Sequence, residues 1–282
     1  MHTSKDNPFG ILIYHRVAPH VEGVAAPTWN VTPERLGRQL SGLMSRGYRP
    51  WPLRRAIECR QSGEAVPART FVVTFDDGYD NVYHNAWPVL KELSIPATVF
   101  VATAYLDGRL PFAFDDWPAA GSDEVPDVAW KPLSTAHCSE MIENGLIEVG
   151  SHTHTHADLR GRPGMFRRDL VRSMEVLHDR LGLSDVSFAF PFGYFGSEMV
   201  AATREVGAKC ALTAEPKVVA PRDDPFPWGR FNVGRLDTAA TLALKLNGWY
   251  SMLRGVWRRM RPSSERRKAA AFRQIDKLSH TS

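Results

Sequence analysis

Two carboxylates stand side by side at Asp76 and Asp77, directly after the apolar run 71–73 and before Gly78. Adjacent aspartates repel, so placing both at a strand end costs stability unless a cation or a catalytic task compensates. An Asp-Gly turn with both side chains in water is the simpler reading of the pair alone. A second group, His152, His154 and His156, follows another apolar run, 146–150. Neutral imidazole is the common ligand of zinc and similar ions. If the chain turns helically there, His152 and His156 share a face at i and i+4 while His154 points elsewhere; in an extended strand all three share a face. Taken together with the aspartate pair, the histidines point to a metal. Two imidazoles and one carboxylate leave positions open for water and substrate, as a catalytic site requires.

The elements that must position these residues alternate. Short apolar runs at 10–14, 70–75, 97–102, 146–150, 187–190 and 209–213 read as strands, and amphipathic stretches between them read as helices, the pattern of a mostly parallel sheet. Thr32 is placed to cap a helix that begins at Pro33 and Glu34, presents Leu36, Leu40, Leu43 and Met44 on one face, and stops at Gly47. Further helices are expected over 81–93, 134–143, 164–181 and 197–206. Both chemical groups therefore fall at the C-terminal ends of strands, where α/β proteins build sites because loops there vary without disturbing the sheet. Two stretches break the alternation: 106–132, too long for a bare connection, and 216–227, rich in Pro and Asp.

In combination, Thr74-Phe75-Asp76-Asp77-Gly78, Ser151-His152-Thr153 with His156 and Leu159, and Phe188-Ala189-Phe190-Pro191-Phe192-Gly193 resemble the polysaccharide deacetylase family, carbohydrate esterase family four. Tyr14-His15-Arg16-Val17 and Ile95-Pro96-Ala97-Thr98-Val99-Phe100 are similar to it as well, so that the resemblance runs over about residues 10–215. It implies an α/β fold, a single distorted (β/α) barrel, with a divalent ion, zinc first among the candidates, at its mouth. It makes Asp76 the general base, Asp77, His152 and His156 the metal ligands, and the amide of Phe192 an oxyanion donor. The segment Arg230-Phe231-Asn232-Val233 looks like the closing part of the exopolysaccharide-associated subgroup.

The chain departs from the family pattern in two places. Ala189 stands where an arginine commonly orients the base, which leaves Arg230 or Arg235 to do so. The late Leu-x-His that supplies the general acid is missing, since no histidine lies between His178 and His280. Either protonated Asp76 itself or another donor must replace it: His15, ending the first strand on the same side, is the first candidate, and Asp237 and Arg235 are weaker ones. In the insertion, Asp115, Asp116 and Trp117 combine rings for stacking on a pyranose with carboxylates for its hydroxyls, although the same aromatics would also anchor the loop on itself. Arg235 is a further candidate substrate contact.

Composition bounds the rest. The 282 residues carry 35 Lys+Arg and 31 Asp+Glu, a formal +4, but eight basic residues against Glu265 alone lie within 254–273. That stretch is +7 and the remainder 4 − 7 = −3, so the charge does not argue for a nucleic-acid partner. The expected organisation is a catalytic barrel over 1–248 and a basic amphipathic helical tail over 249–282, whose interleaved Trp249, Leu253 and Trp257 either pack on the body or meet a membrane surface or partner. Cys59, Cys138 and Cys210 are too widely spaced for a disulfide framework and read as buried thiols. The first eight residues lack a signal-peptide pattern, which makes the cytoplasm the expected location, and the basic tail adds a membrane-peripheral option. The expected reaction is hydrolysis of an acetyl group, N-acetyl before O-acetyl, on an acetylated carbohydrate. The rivals are a hydrolase of non-sugar amides on the same fold and a carbohydrate-binding protein without turnover.

Overall fold

The computed structural model describes residues 6–248; the expected tail at 249–282 lies outside the described residues. In chain order the elements are β1 (Gly10–Tyr14), β2 (Arg16–Val17), β3 (Asn30–Val31), α1 (Pro33–Met44), β4 (Arg49–Pro50), α2 (Leu53–Ser62) and β5 (Thr70–Phe75). A π-helical turn (Val82–Ala86) runs into α3 (Trp87–Leu93), followed by β6 (Ala97–Val101), α4 (Thr135–Glu143), β7 (Ile147–Ser151) and α5 (Pro163–Leu181). The described chain ends with β8 (Phe188–Ala189), α6 (Ser197–Glu205), β9 (Ala211–Leu212), β10 (Phe231–Asn232) and α7 (Ala239–Leu246).

The main sheet is wholly parallel in the order β10-β1-β5-β6-β7-β8-β9, with β4 also pairing with β5. Strands buried on both faces read as continuous apolar runs, which is why they are visible in the sequence. Their side chains alternate between two layers. Leu12, Tyr14, Val73, Phe75, Val99 and Val149 face an outer layer with the helices, whereas Ile11, Val72 and Phe100 join the inner cluster, capped from below by Leu53, Ala56 and Ile57 of α2. A sheet with such an inner cluster is curled, a half-barrel rather than a flat layer.

The segment 228–232 links the two ends of the strand order. Trp228 exchanges backbone bonds with β9, its N–H donating to Ala211 O and its carbonyl accepting from Thr213 N–H, and Phe231 and Asn232 then pair with Leu12 and Ile13 of β1. Arg230, between them, is thereby aimed into the barrel, fully buried.

The helix α1 starts as its sequence dictates, with Thr32 Oγ1 accepting from Arg35 N–H and Pro33 in the first turn. Among the described residues, six elements lie outside the expected alternation: the two-residue strands β2, β3, β4 and β10 and the helices α2 and α7. The helix α2 carries four charged side chains and only one buried face, and α7 has its own capping box at Thr238 and Thr241. The 106–132 insertion has its own small apolar cluster, with Trp117, Ala119, Val125, Ala129 and Trp130 packed against Ala18. All three cysteines are free and buried, and burial pushes the Cys138 and Cys210 thiols up to about 12.

Candidate active site

Asp76 and Asp77 leave the C-terminal end of β5. The Asp76 N–H continues the sheet by donating to Tyr14 O, after which Asp77 takes a left-handed φ of 72° and turns the chain. Gly78 follows at φ 86°, where a Cβ would stand 2.9 Å from the Val101 side chain, so the turn and the approach to β6 both require glycine.

His152 follows β7, its N–H donating to Val101 O. The chain is then neither helix nor strand: Thr153 and His156 have φ of 65° and 57°, and Thr153 Oγ1 accepts from His156 N–H. Asp169 of α5 pins the turn by accepting from the N–H groups of His154 and Thr155 and from the Thr155 hydroxyl. The turn brings His152 and His156 together and sends His154 to Thr103, at 2.9 Å. Asp77 Oδ1 stands 3.3 Å from His156 Nε2 and 3.6 Å from His152 Nε2.

These three residues fit a divalent cation. His152 Nδ1 lies 2.8 Å from the carbonyl of Ala189, which can only accept, so that nitrogen carries the proton and Nε2 presents a lone pair to the carboxylates of Asp76 and Asp77. Burial holds His152 down to about 4, against the opposing pull of Asp76, so the ring is neutral at physiological pH. Electron-pair donors facing one another in a buried site repel unless a cation lies between them. The 3.3 Å Asp77–His156 spacing equals the edge of a zinc tetrahedron, about 3.3 Å for bonds of ~2.0 Å. Burial alone would raise the Asp77 carboxyl; in the metal-free protein a hydrogen bond from His156 outweighs it and holds the group well below the carboxylate range, and a bound cation would take the place of that proton. His156 itself is fixed by packing, stacked on Phe114 at 3.7 Å and edge-on to Phe192 at 4.6 Å.

Asp76 is gripped from within the barrel. Arg230 Nη1 donates to Asp76 Oδ1 and Nη2 to Oδ2, both at 2.7 Å, while the same guanidinium donates to Thr213 O and Thr74 Oγ1. Burial pushes the Asp76 carboxyl up, but the charge of Arg230 prevails and its pKa is lowered. Arg230 arrives through β10, whereas Ala189 in β8 offers only its carbonyl, to His152.

Around this group opens a cavity of about 460 Å³ whose wall includes His15, Trp29, Phe114, Asp115, Phe192 and Tyr194. His15 stacks on Trp29 at 5.8 Å, and its Nδ1 is buried with no partner among the described residues. The Pro191–Gly193 turn uses the amides of Gly193 and Tyr194 for its own bonds to Phe190 O and Pro191 O, and Phe192 adopts a left-handed φ of 59° with its amide outside that pair. Asp115 lines the cavity but is committed to Arg16, which also lies over the rings of Tyr79 at 4.2 Å and Trp117 at 5.0 Å. Asp116 is exposed at the rim.

Two expected substrate contacts are placed elsewhere. Trp117 is buried under the insertion, its Nε1 donating to Ala25 O, because the loop spends its large ring on its own anchorage. Arg235 is exposed beside His20 and Thr32, outside the cavity, because the chain turns away from the barrel after Val233. Trp29, Tyr194 and Asn232 line the cavity without having been expected there; no spacing in the sequence ties them to the aspartates.

The neutral state of His152 predicts an acid limb in stability. In metal-free protein the folded state takes up this proton near pH 4 and the unfolded chain near 6.5. Between those values the unfolded state binds more protons, so the contribution is complete above pH 6.5 and is lost as pH falls towards 4, about 3 kcal/mol in all. Urea midpoints of chelated protein should fall steadily from pH 7 to pH 4.5. A flat profile there would contradict the neutral, buried ring.

Comparison with known proteins agrees with the motifs. A polysaccharide deacetylase family model matches residues 63–211, just over half of the chain. The poly-beta-1,6-N-acetyl-D-glucosamine N-deacetylase of Staphylococcus epidermidis is 26% identical over 230 residues, 78% of this chain and 73% of that protein. The enzyme of the same name from Staphylococcus aureus is 23% identical over 207 residues, 70% of this chain and 66% of its own length. Among solved structures, IcaB from Ammonifex degensii superposes with a TM-score of 0.71 at 27% identity, over 86% of this chain and 97% of that one. With the strand-end aspartates, the two histidines and the Pro191–Gly193 turn assembled on a curled parallel sheet, the chain belongs to the polysaccharide deacetylase family.

Proposed function

We propose that the protein is a metal-dependent N-deacetylase that converts N-acetylglucosamine units of a β-1,6-linked polymer into glucosamine and acetate. The observation that carries the chemistry is a buried, arginine-clamped carboxylate, Asp76, 3.9 Å from the lone-pair nitrogen of a histidine in an Asp/His/His cation cluster. The choice of sugar and linkage rests on the relatives' names. Asp77, His152 and His156 would hold the cation. When bound, a divalent ion such as zinc polarises an acetyl carbonyl and acidifies a water molecule.

The chain's own groups do the rest. Asp76, kept ionised by Arg230, accepts the proton that the attacking water gives up. Its fixed orientation is the point of the clamp, because a base helps only if its oxygen is aimed. The Phe192 amide donates to the oxygen on which negative charge grows as the carbonyl carbon becomes tetrahedral. The amine then leaves as the carbon–nitrogen bond breaks and needs a proton; His15, on the cavity wall at the end of β1, supplies it, with Trp29 holding the ring. The aromatic rings of Trp29, Phe192 and Tyr194 offer faces for pyranose stacking, and the open cavity suits an internal unit of a chain.

The test is acetate release from β-1,6-linked N-acetylglucosamine oligomers, measured beside O-acetylated sugars and cyclic amides. Acetate from the oligomers, with free amines appearing in equal number, is expected. Ring opening of a cyclic amide in its place would support the non-sugar hydrolase, and oligomer binding without acetate would support a binding protein.

A further inference from the structure

A second set of ligand atoms converges away from the cavity. Asp80 Oδ1 lies 2.6 Å from His137 Nδ1, Asp80 Oδ2 lies 3.3 Å from His84 Nε2, and the three ligating atoms fall within 4.8 Å of one another. None of these residues lines the cavity that holds Asp76 and Asp77. They come from three places: Asp80 from the turn after β5, His84 from the π-helical turn, and His137 from the first turn of α4.

Each is held in position. The Asp80 N–H donates to Lys131 O, and its carbonyl accepts from the N–H groups of Tyr83 and His84. Tyr83 stacks flat on His137, with ring centroids 3.9 Å apart and planes 7° apart, and its hydroxyl donates to Glu140 at 2.6 Å. The two imidazoles meet at 86°, so they converge edge to face on the carboxylate and do not stack on each other. The π turn is itself informative, because the widened turn is rare and recurs where a helix must aim a functional side chain.

A proton accounts for the short Asp80–His137 contact in the metal-free protein, and an ion bound through His137 Nδ1 would displace it. That proton does not account for the second imidazole, whose 3.3 Å spacing from Asp80 repeats the Asp77–His156 spacing in the cavity and matches a zinc tetrahedron edge of about 3.3 Å. Side-chain exposures of 14% for Asp80, 29% for His137 and 46% for His84 leave one side open, where water can complete the coordination.

We propose that Asp80, His84 and His137 form a second divalent-cation site, selective for imidazole-preferring ions such as zinc. One carboxylate and two imidazoles suit such ions better than magnesium or calcium, which favour oxygen ligands. The site ties the π turn to α4, so its ion braces the segment that follows the catalytic aspartates and takes no part in the chemistry.

Zinc stoichiometry of the full chain, by equilibrium dialysis at micromolar free zinc, tests this apart from the cavity site. The wild type should hold two equivalents, and His84→Ala and His137→Ala one each with acetate release unchanged. His152→Ala should also hold one, and the His137→Ala/His152→Ala pair none. Zinc should still raise the melting temperature of His152→Ala, and should no longer do so once His84→Ala is added. One equivalent or none in the wild type, or two equivalents persisting in both His84→Ala and His137→Ala, would overturn the second site. Loss of binding in His152→Ala alone, with the wild type at one equivalent, would leave a cavity ion and a merely hydrogen-bonded histidine pair at Asp80.

Discussion

Arg230→Ala should lower acetate release by about 10²-fold or more and destabilise the fold by about 3–5 kcal/mol, because it leaves Asp76 charged, buried and unpaired. The guanidinium makes two 2.7 Å bonds to Asp76 and two more to Thr74 and Thr213, and it is 0% exposed, so no water replaces it without rearrangement. The Asp76 carboxyl, relieved of that charge, rises under burial alone, so the variant's rate should also move to higher pH. Arg230→Lys retains a charge but not the planar fork and should recover stability more than rate. Kinetics with urea unfolding of both variants checks this, and turnover within tenfold of wild type in Arg230→Ala would contradict the clamp.

Asp76→Asn should cost about 10²- to 10⁴-fold in turnover while leaving zinc affinity nearly unchanged. The amide is isosteric and still accepts one bond from Arg230, but it takes no proton from water. Asp77, His152 and His156 are untouched by the change, and His152 Nε2 is 3.9 Å from the Asp76 carboxylate. Fast turnover in this variant would move the base elsewhere, and the Asp115 carboxylate, already paired with Arg16, is poorly placed to take over.

What the sequence makes legible follows from burial. Strands sheathed on both faces announce themselves as apolar runs, and the aspartates and histidines at their ends are found by position. The helix α2 escapes because it closes the barrel floor with one face and keeps Arg54, Arg55, Glu58 and Arg60 on the others. At the site, the aspartates and histidines lie inside short motifs, whereas the Arg230–Asp76 pair spans 154 residues and forms only because 228–232 bridges β9 and β1. Arg235 had the same chemistry in the same stretch, and what separates the two is the direction of a two-residue strand. Trp117 shows the converse: a ring beside carboxylates suits a sugar, but a long insertion must first bury something of its own.

The proposed chemistry depends most heavily on a cation held by Asp77, His152 and His156. Its direct measurement is acetate release from the oligomers by protein stripped with a chelator and then titrated with zinc. Turnover should vanish on stripping, return with zinc, and fail to return in His152→Ala. Undiminished turnover by protein that contains no metal would contradict the account.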